Sequence, residues 1–272
     1  MFFLFISNTD LARVPGLSAA GANVDVLPLT APADADVMRF GRPRSIDFFP
    51  LDPDGHPTPA LVTRAAVLCA DIPVCVARVG TLRPPAPPYV EFGVAQGCDP
   101  RMGAAVPDAQ KIFKDASFLA RDFTRTTDRV MLAESVPGGT TTALLILRAL
   151  GYDGMVSSAG PFNPTSLKER IWDEASARVG IKTGGMSEEP MRAITELGDP
   201  MQAAVLGFIN GFEKKKKIAL AGGTQMLAIA ACLRAMGDRR EITVATTKYV
   251  LNDKTTSFSE LAEKIGVETY SA

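Results

Sequence analysis

Short, nearly unbroken apolar runs recur along the chain: "FFLFI" from Phe2, "NVDVLPL" from Asn23, "IPVCVARVG" from Ile72, "RVMLA" from Arg129, "GMVSS" from Gly154, "KKIALA" from Lys216 and "EITVATT" from Glu241. Strands that are apolar throughout suit a parallel sheet covered on both faces. Between the later runs lie stretches with helical spacing. The pattern predicts an α/β fold, a doubly wound, mostly parallel, Rossmann-like sheet flanked by helices, with residues 1–272 forming one domain.

Helix boundaries are marked by local chemistry. In "NPTSLKERIWDEA", Asn163 is expected as N-cap with Pro164 at the first helical position; in "SFSELAEKIG", Ser257 and Glu260 form a capping box and Gly266 ends the helix. Residues 184–217 predict two helices broken at Gly198-Asp199-Pro200, with Lys214–Lys217 as a solvated helix end facing the dipole. From Ala31 to about Val106 the texture is proline-rich and irregular. That stretch is expected to form a pocket wall or lid.

Composition narrows the function classes. The 29 basic residues nearly balance 30 acidic ones, so the chain lacks the electrostatic footprint that nucleic acid demands. Cys69, Cys75, Cys98 and Cys232 are widely spaced without a CxxC pair, which predicts reduced, mostly core thiols rather than a zinc knuckle or disulfide scaffold. "MFFLFISNTD" fits a buried first strand better than a leader, and no run reaches the ~20 apolar residues of a membrane span. A cytosolic protein without membrane partners is expected.

Two segments repeat one design. "ESVPGGTTTALLILRALG" begins at Glu134 and "KIALAGGTQMLAIAACLRAMG" at Lys217; each joins an apolar strand to a helix through Gly-Gly-Thr. In an open parallel sheet such turns lie at the carboxyl ends of the strands, where ligands bind. Glycine lets the backbone approach, and the free N–H groups and hydroxyls of a first helical turn favour phosphate. Gly138, Gly139, Thr140, Thr141, Gly222, Gly223 and Thr224 are therefore the candidate phosphate-binding residues, with Ser157, Ser158 and Lys168 at the same rim. The alternative reading is that tight strand-to-helix loops need glycine and that Lys168 is a surface lysine. Glu134 either holds ribose hydroxyls or a substrate cation, or accepts backbone N–H groups and fixes the turn.

Other chemistries fall away. His56, the only histidine, lies near Asp52 and Asp54 in a proline-flanked loop without metal-site spacing, and loop structure is expected there. The absence of G-x-S-x-G, G-x-G-x-x-G and GK[ST] patterns argues against acyl transfer, NAD and ATP. Neither a metal nor a cofactor is expected.

The segments "PGLSAAGANVDVLPLTAPADADV", "GRPRSIDFFPLDPDGHPTPALVTRAA", "ESVPGGTTTA", "NPTSLK" and "AGGTQMLA" resemble the nicotinate-nucleotide:dimethylbenzimidazole phosphoribosyltransferases, specifically a divergent archaeal and cyanobacterial-type branch, over nearly the whole chain. The resemblance implies binding of nicotinate mononucleotide and transfer of its phosphoribosyl group to a benzimidazole-type base, as in cobalamin lower-ligand assembly. It implies a mononucleotide turn at Glu134–Thr141, phosphate contact by Lys168, and a homodimer or larger assembly. Ala221 stands where the family has an aspartate, and the glycine-rich segment carrying the family's general-base glutamate is not matched up to "GVETYSA", leaving the catalytic base unassigned. A non-catalytic nucleotide- or base-binding protein and a diphosphate-dependent phosphoribosyltransferase are the alternatives.

Overall fold

The computed structural model describes residues 1–272 other than Pro53, Ala159 and Pro161. Seven strands, β1 (Phe2–Ile6), β2 (Val74–Arg78), β3 (Val90–Glu91), β4 (Arg129–Ser135), β5 (Lys217–Ala221), β6 (Ile242–Thr246) and β7 (Glu268–Ser271), pair in the order β3-β2-β1-β4-β5-β6-β7, all parallel. The expected fold class is present. β1 is buried at every position, as a central strand covered on both faces must be.

The helices are α1 (Leu27–Phe40), α2 (Ala60–Cys69), α3 (Ala109–Phe123), α4 (Gly139–Ala149), α5 (Thr165–Val179), α6 (Pro190–Leu197), α7 (Pro200–Gly211), α8 (Thr224–Ala235), α9 (Lys248–Asn252) and α10 (Phe258–Ile265). Alternate residues of β1 point to opposite faces. Phe3 and Phe5 enter the larger core with α3, α4, α7 and α8, while Phe2, Leu4 and Ile6 meet Ala31, Ala35 and Met38 of α1 and Val67 of α2. Among the described residues no helix is long and apolar enough to cross a membrane.

Several local expectations change. "NVDVLPL" is not a strand: Asn23 Oδ1 accepts from the backbone of Asp25 and Val26, making a turn, and Pro28 then sits in the first turn of α1, where its missing N–H costs nothing. "GMVSS" is also outside the sheet. Met155 N–H donates to Ser257 Oγ and Met155 O accepts from Ser257 N, so this segment takes its partners from the start of α10. That use of Ser257 also explains why the capping box with Glu260 does not form, although α10 ends at Gly266 as expected.

The N-cap of α5 is Pro164 rather than Asn163, whose side chain is spent on Val156 O, Lys168 and Thr255. The break before α7 is correct: Asp199 and Gln202 form a full capping box. Lys214–Lys217 is not a helix end, since α7 stops at Gly211; Lys216 pairs with Asp128 and Lys217 opens β5. Among the described residues the stretch 31–106 is irregular over 41–52, over 54–59 and, apart from β3, beyond residue 78, but it also contains most of α1, α2 and β2. Of the cysteines only Cys232 is buried; Cys69 and Cys98 are exposed and Cys75 is half-buried.

α7 is buried from Pro200 to Ile209, the pattern of a helix enclosed by protein. It lies close enough to α3 that a Cβ on Gly207 would overlap the Phe113 carbonyl and one on Gly211 the Ser117 carbonyl. Ser117 Oγ also donates to Gly207 O at 2.7 Å. Gly207→Ala should therefore lower unfolding free energy by about 1–3 kcal/mol through overpacking. Urea denaturation checks this; an unchanged midpoint would mean the two helices are not in close contact.

Candidate functional site

In this strand order the chain leaves β1 toward β2 and β3, then returns to the other side of β1 at β4. The crevice of a doubly wound sheet opens at such a switch point, at the carboxyl ends of the strands. Phe5 is registered with Glu134 and Ile6 with Ser135, so Glu134 stands beside that crevice.

Both Gly-Gly-Thr turns open at this edge. Gly138 is left-handed with φ +84°, and a Cβ there would lie 3.0 Å from Ala12 N, so close packing and positive φ both demand glycine. Gly139 begins α4; Thr140 is half-buried, while Thr141 is fully buried with Oγ1 unpartnered among the described residues. Gly222 lies next to Glu134: a Cβ on it would be 3.5 Å from Oε1. Gly223 precedes α8, and a Cβ there would be 3.3 Å from Ser157 Oγ.

Thr224 and Lys168 act together on one segment. Thr224 Oγ1 accepts from Ser157 N at 3.3 Å and lies 3.1 Å from Ser157 Oγ. Lys168 Nζ donates to Ser157 O at 2.7 Å and Asn163 Oδ1 at 2.8 Å. Far from being a surface lysine, Lys168 is completely buried, and that burial lowers its pKa to about 8, with Asp253 opposing. Ser157 is buried and Ser158 half-buried beside it.

The structure adds two carboxylates that sequence reasoning passed over. Asp199, the N-cap of α7, is fully buried, and Thr142 Oγ1 lies 2.5 Å from its Oδ2. Asp34, on α1, accepts from Thr58 Oγ1 at 2.6 Å and Ser135 Oγ at 2.7 Å. Burial raises Glu134 to about 8, with Asp199 and then Asp34 adding repulsion and the Val136 N–H opposing. Burial likewise lifts Asp34 and Asp199 to about 6 against their hydrogen bonds. Among the described residues none of the three has a salt-bridge partner.

Asn8 Nδ2 and Gln202 Nε2, at the end of β1 and in the first turn of α7, are buried donors without acceptors among the described residues. A buried donor left unmatched costs about 1–3 kcal/mol. Beyond Asp34, an apolar cavity of about 220 Å³ is lined by Val26, Thr30, Ile46, Phe48, Pro50 and Leu51 among others. The 52–56 loop stands apart: Asp52 accepts from the backbone of Asp54 and His56 and from the His56 ring at 2.9 Å, holding an exposed turn.

Known proteins resemble the chain to different degrees. No family model matches the chain. A UPF0284 protein of Thermococcus kodakarensis is 44% identical over 274 residues, spanning all of this chain and 81% of the relative. The UPF0284 protein of Methanosarcina acetivorans is 39% identical over 270 residues, 98% of this chain and 77% of the relative. The chain belongs to the UPF0284 family. Among solved structures, the nicotinate-nucleotide-dimethylbenzimidazole phosphoribosyltransferase of Thermus thermophilus superposes with a TM-score of 0.70 at 18% identity, covering 99% of this chain and 74% of that one. This UPF0284 chain therefore has a phosphoribosyltransferase-like fold, and the likeness carried by "ESVPGGTTTA" and "AGGTQMLA" holds for the family branch and the fold.

The acidic corner of the UPF0284 chain makes stability fall with rising pH. Glu134 titrates near 8 when folded against an ordinary 4.5, so between those values the unfolded chain binds fewer protons. The contribution is full below about 4.5 and disappears as pH passes about 8. Between about pH 6 and 8, above the Asp34 and Asp199 midpoints and below the range in which the lowered Lys168 reverses the sign, the slope belongs chiefly to Glu134. Glu134→Gln should flatten it in denaturation series run across that range; equal slopes in both proteins would refute the assignment.

Proposed function

We propose that this protein binds nicotinate mononucleotide at the two Gly-Gly-Thr turns and transfers its phosphoribosyl group to a benzimidazole-type base. The observation that carries the reading is the meeting, at one switch point, of two strand-to-helix turns suited to a phosphate and three crowded carboxyl groups, one of which, Asp34, lies one helical turn from Thr30 in the lining of an apolar cavity. The phosphoribosyltransferase-like fold supports it.

In this reading the first turns of α4 and α8 present N–H groups to the phosphate, with the Thr140 hydroxyl beside them. Lys168 uses two of its three donors on Ser157 O and Asn163 Oδ1, which leaves one N–H and the positive charge for the same corner. Glu134, protonated at neutral pH, donates to a ribose hydroxyl. Asp199, fixed by Thr142 and the α7 capping box, supplies negative potential as positive charge develops at ribose C1′. The apolar cavity takes the flat face of the incoming base, which enters on the side of α1.

Calorimetric titration with nicotinate mononucleotide tests the binding half. Wild type should bind and Lys168→Ala should bind about 1.5–3 kcal/mol more weakly through loss of a charge-assisted contact; no binding by wild type would end the reading. Chromatography of released nicotinate with benzimidazole present tests the transfer half. Tight binding without release would instead identify a non-catalytic nucleotide-binding protein.

A further inference from the structure

The two strand-to-helix units also end alike, in Arg148-Ala149-Leu150-Gly151 at the end of α4 and Arg234-Ala235-Met236-Gly237 at the end of α8. The two arginines meet different partners. Arg148 is buried and its guanidinium grips the Glu169 carboxylate with both terminal nitrogens, Nη2 to Oε1 at 2.6 Å and Nη1 to Oε2. Arg234 meets only backbone: Nε donates to Ile265 O at 3.3 Å, Nη1 to Asp238 O at 3.0 Å and Arg240 O at 3.1 Å, and Nη2 to Gly266 O at 3.1 Å. Four carbonyls fix this guanidinium in place without neutralising it, and by count one of its five N–H groups is left over.

Arg234 forms one wall of a cavity of about 370 Å³, lined also by Tyr152, Arg239, Lys264, Ile265 and Gly266. The lining contains no acid. Arg239 donates to Arg234 O at 2.8 Å, and among the described residues neither Arg234, Arg239 nor Lys264 has a salt-bridge partner. Asp238, the acid of the adjoining loop, is committed to Arg240 through Nε at 2.9 Å and Nη2 at 2.7 Å. Burial and then the Arg239 charge lower the pKa of Arg234, with Asp238 and Tyr152 opposing. Burial raises that of Tyr152, while Arg239 and Arg234 lower it, so the phenol lies in the field of both guanidinium groups.

Cations at helix C-termini offset the dipole, and Arg234 does so for α8 and α10. The ends of α4, α8 and α10 are worth about half a negative charge each. Three cations exceed that sum, and the cavity stays positive. α4 and α8 run 11 and 12 residues from the Gly-Gly-Thr turns, about 16–18 Å. The cavity is therefore at the far ends of the same two helices, away from the crevice.

We propose that this cavity is a separate anion site that holds a phosphoryl group. Arg239 forks onto two of its oxygens, Tyr152 and the remaining N–H of Arg234 donate to it, and Lys264 adds a point charge. A phosphoryl group suits this set better than a carboxylate because it brings three acceptor oxygens and close to two negative charges at neutral pH. Once bound it joins the ends of α4, α8 and α10. Nothing in the site depends on the reaction at the crevice.

Titration calorimetry at fixed ionic strength, with inorganic phosphate and with ribose 5-phosphate, tests the proposal. The expected result is a binding event that persists in Lys168→Ala and weakens about ten-fold or more in Arg239→Ala. Tyr152→Phe, which removes one oxygen and keeps the ring, should weaken it about 2–10-fold and covers the case in which Arg239→Ala fails to fold. Tighter binding of inorganic phosphate supports the site with the free anion as ligand; tighter binding of the ester supports it with a phosphorylated small molecule. No binding of either compound, binding lost in Lys168→Ala alone, or equal affinities in wild type, Arg239→Ala and Tyr152→Phe would overturn it.

Discussion

β1 runs in register with Met131–Ser135 of β4, and the sheet grows outward from this pair in both directions. Because the chain first builds β2 and β3 on one side and only then returns to β4 on the other, the loops leaving β1 and β4 diverge. The space between them is filled by side chains that no strand supplies: Asp34 from α1, Asp199 from α7 and the first turn of α4. If β4 slipped one residue against β1, Glu134 would change faces and the acidic corner would disperse.

That corner is electrostatically costly by construction. Three carboxyl groups share it with no cationic partner among the described residues, and Lys168, the buried cation of the region, spends its bonds on Ser157 and Asn163. A set of structural acids would be expected to sit on backbone N–H groups or opposite arginines, as Asp36 and Asp238 do. Glu134, which accepts the backbone N–H of Val136, and Asp34, held by two hydroxyls, nonetheless retain raised pKa values, a pattern that is enriched at functional sites.

The sheet, both glycine turns and the α6–α7 break were legible because each rests on local signals: apolar runs, Gly-Gly-Thr before a helix, and Asp-Pro at a helix start. Glu134 was legible as the acid ending its strand. Asp34 and Asp199 were not read as site residues, for different reasons. Reading 23–29 as a strand hid the helical spacing that puts Thr30 and Asp34 on one face of α1. Asp199 was visible as part of a helix boundary, but its proximity to Glu134 depends on long-range packing of α7 against α3 and β1. Lys168 shows the opposite error: its place was anticipated, but its burial follows from Ser157 being pinned by Thr224, a contact across 67 residues.

α7 joins its glycine seat to its acidic tip in one uninterrupted helical run. Gly207 lies eight residues beyond Asp199, about 12 Å along the axis, and the contacts of Gly207 and Gly211 with the α3 backbone fix how far the helix is pushed toward the crevice. A rod held at its rear end transmits displacement to its tip. The acidity of the corner is consequently adjustable from α3: side chains that lift or lower α7 by a fraction of an ångström change the distance between Asp199 and Glu134, and with it the proton affinity of both, while every residue in the crevice stays the same.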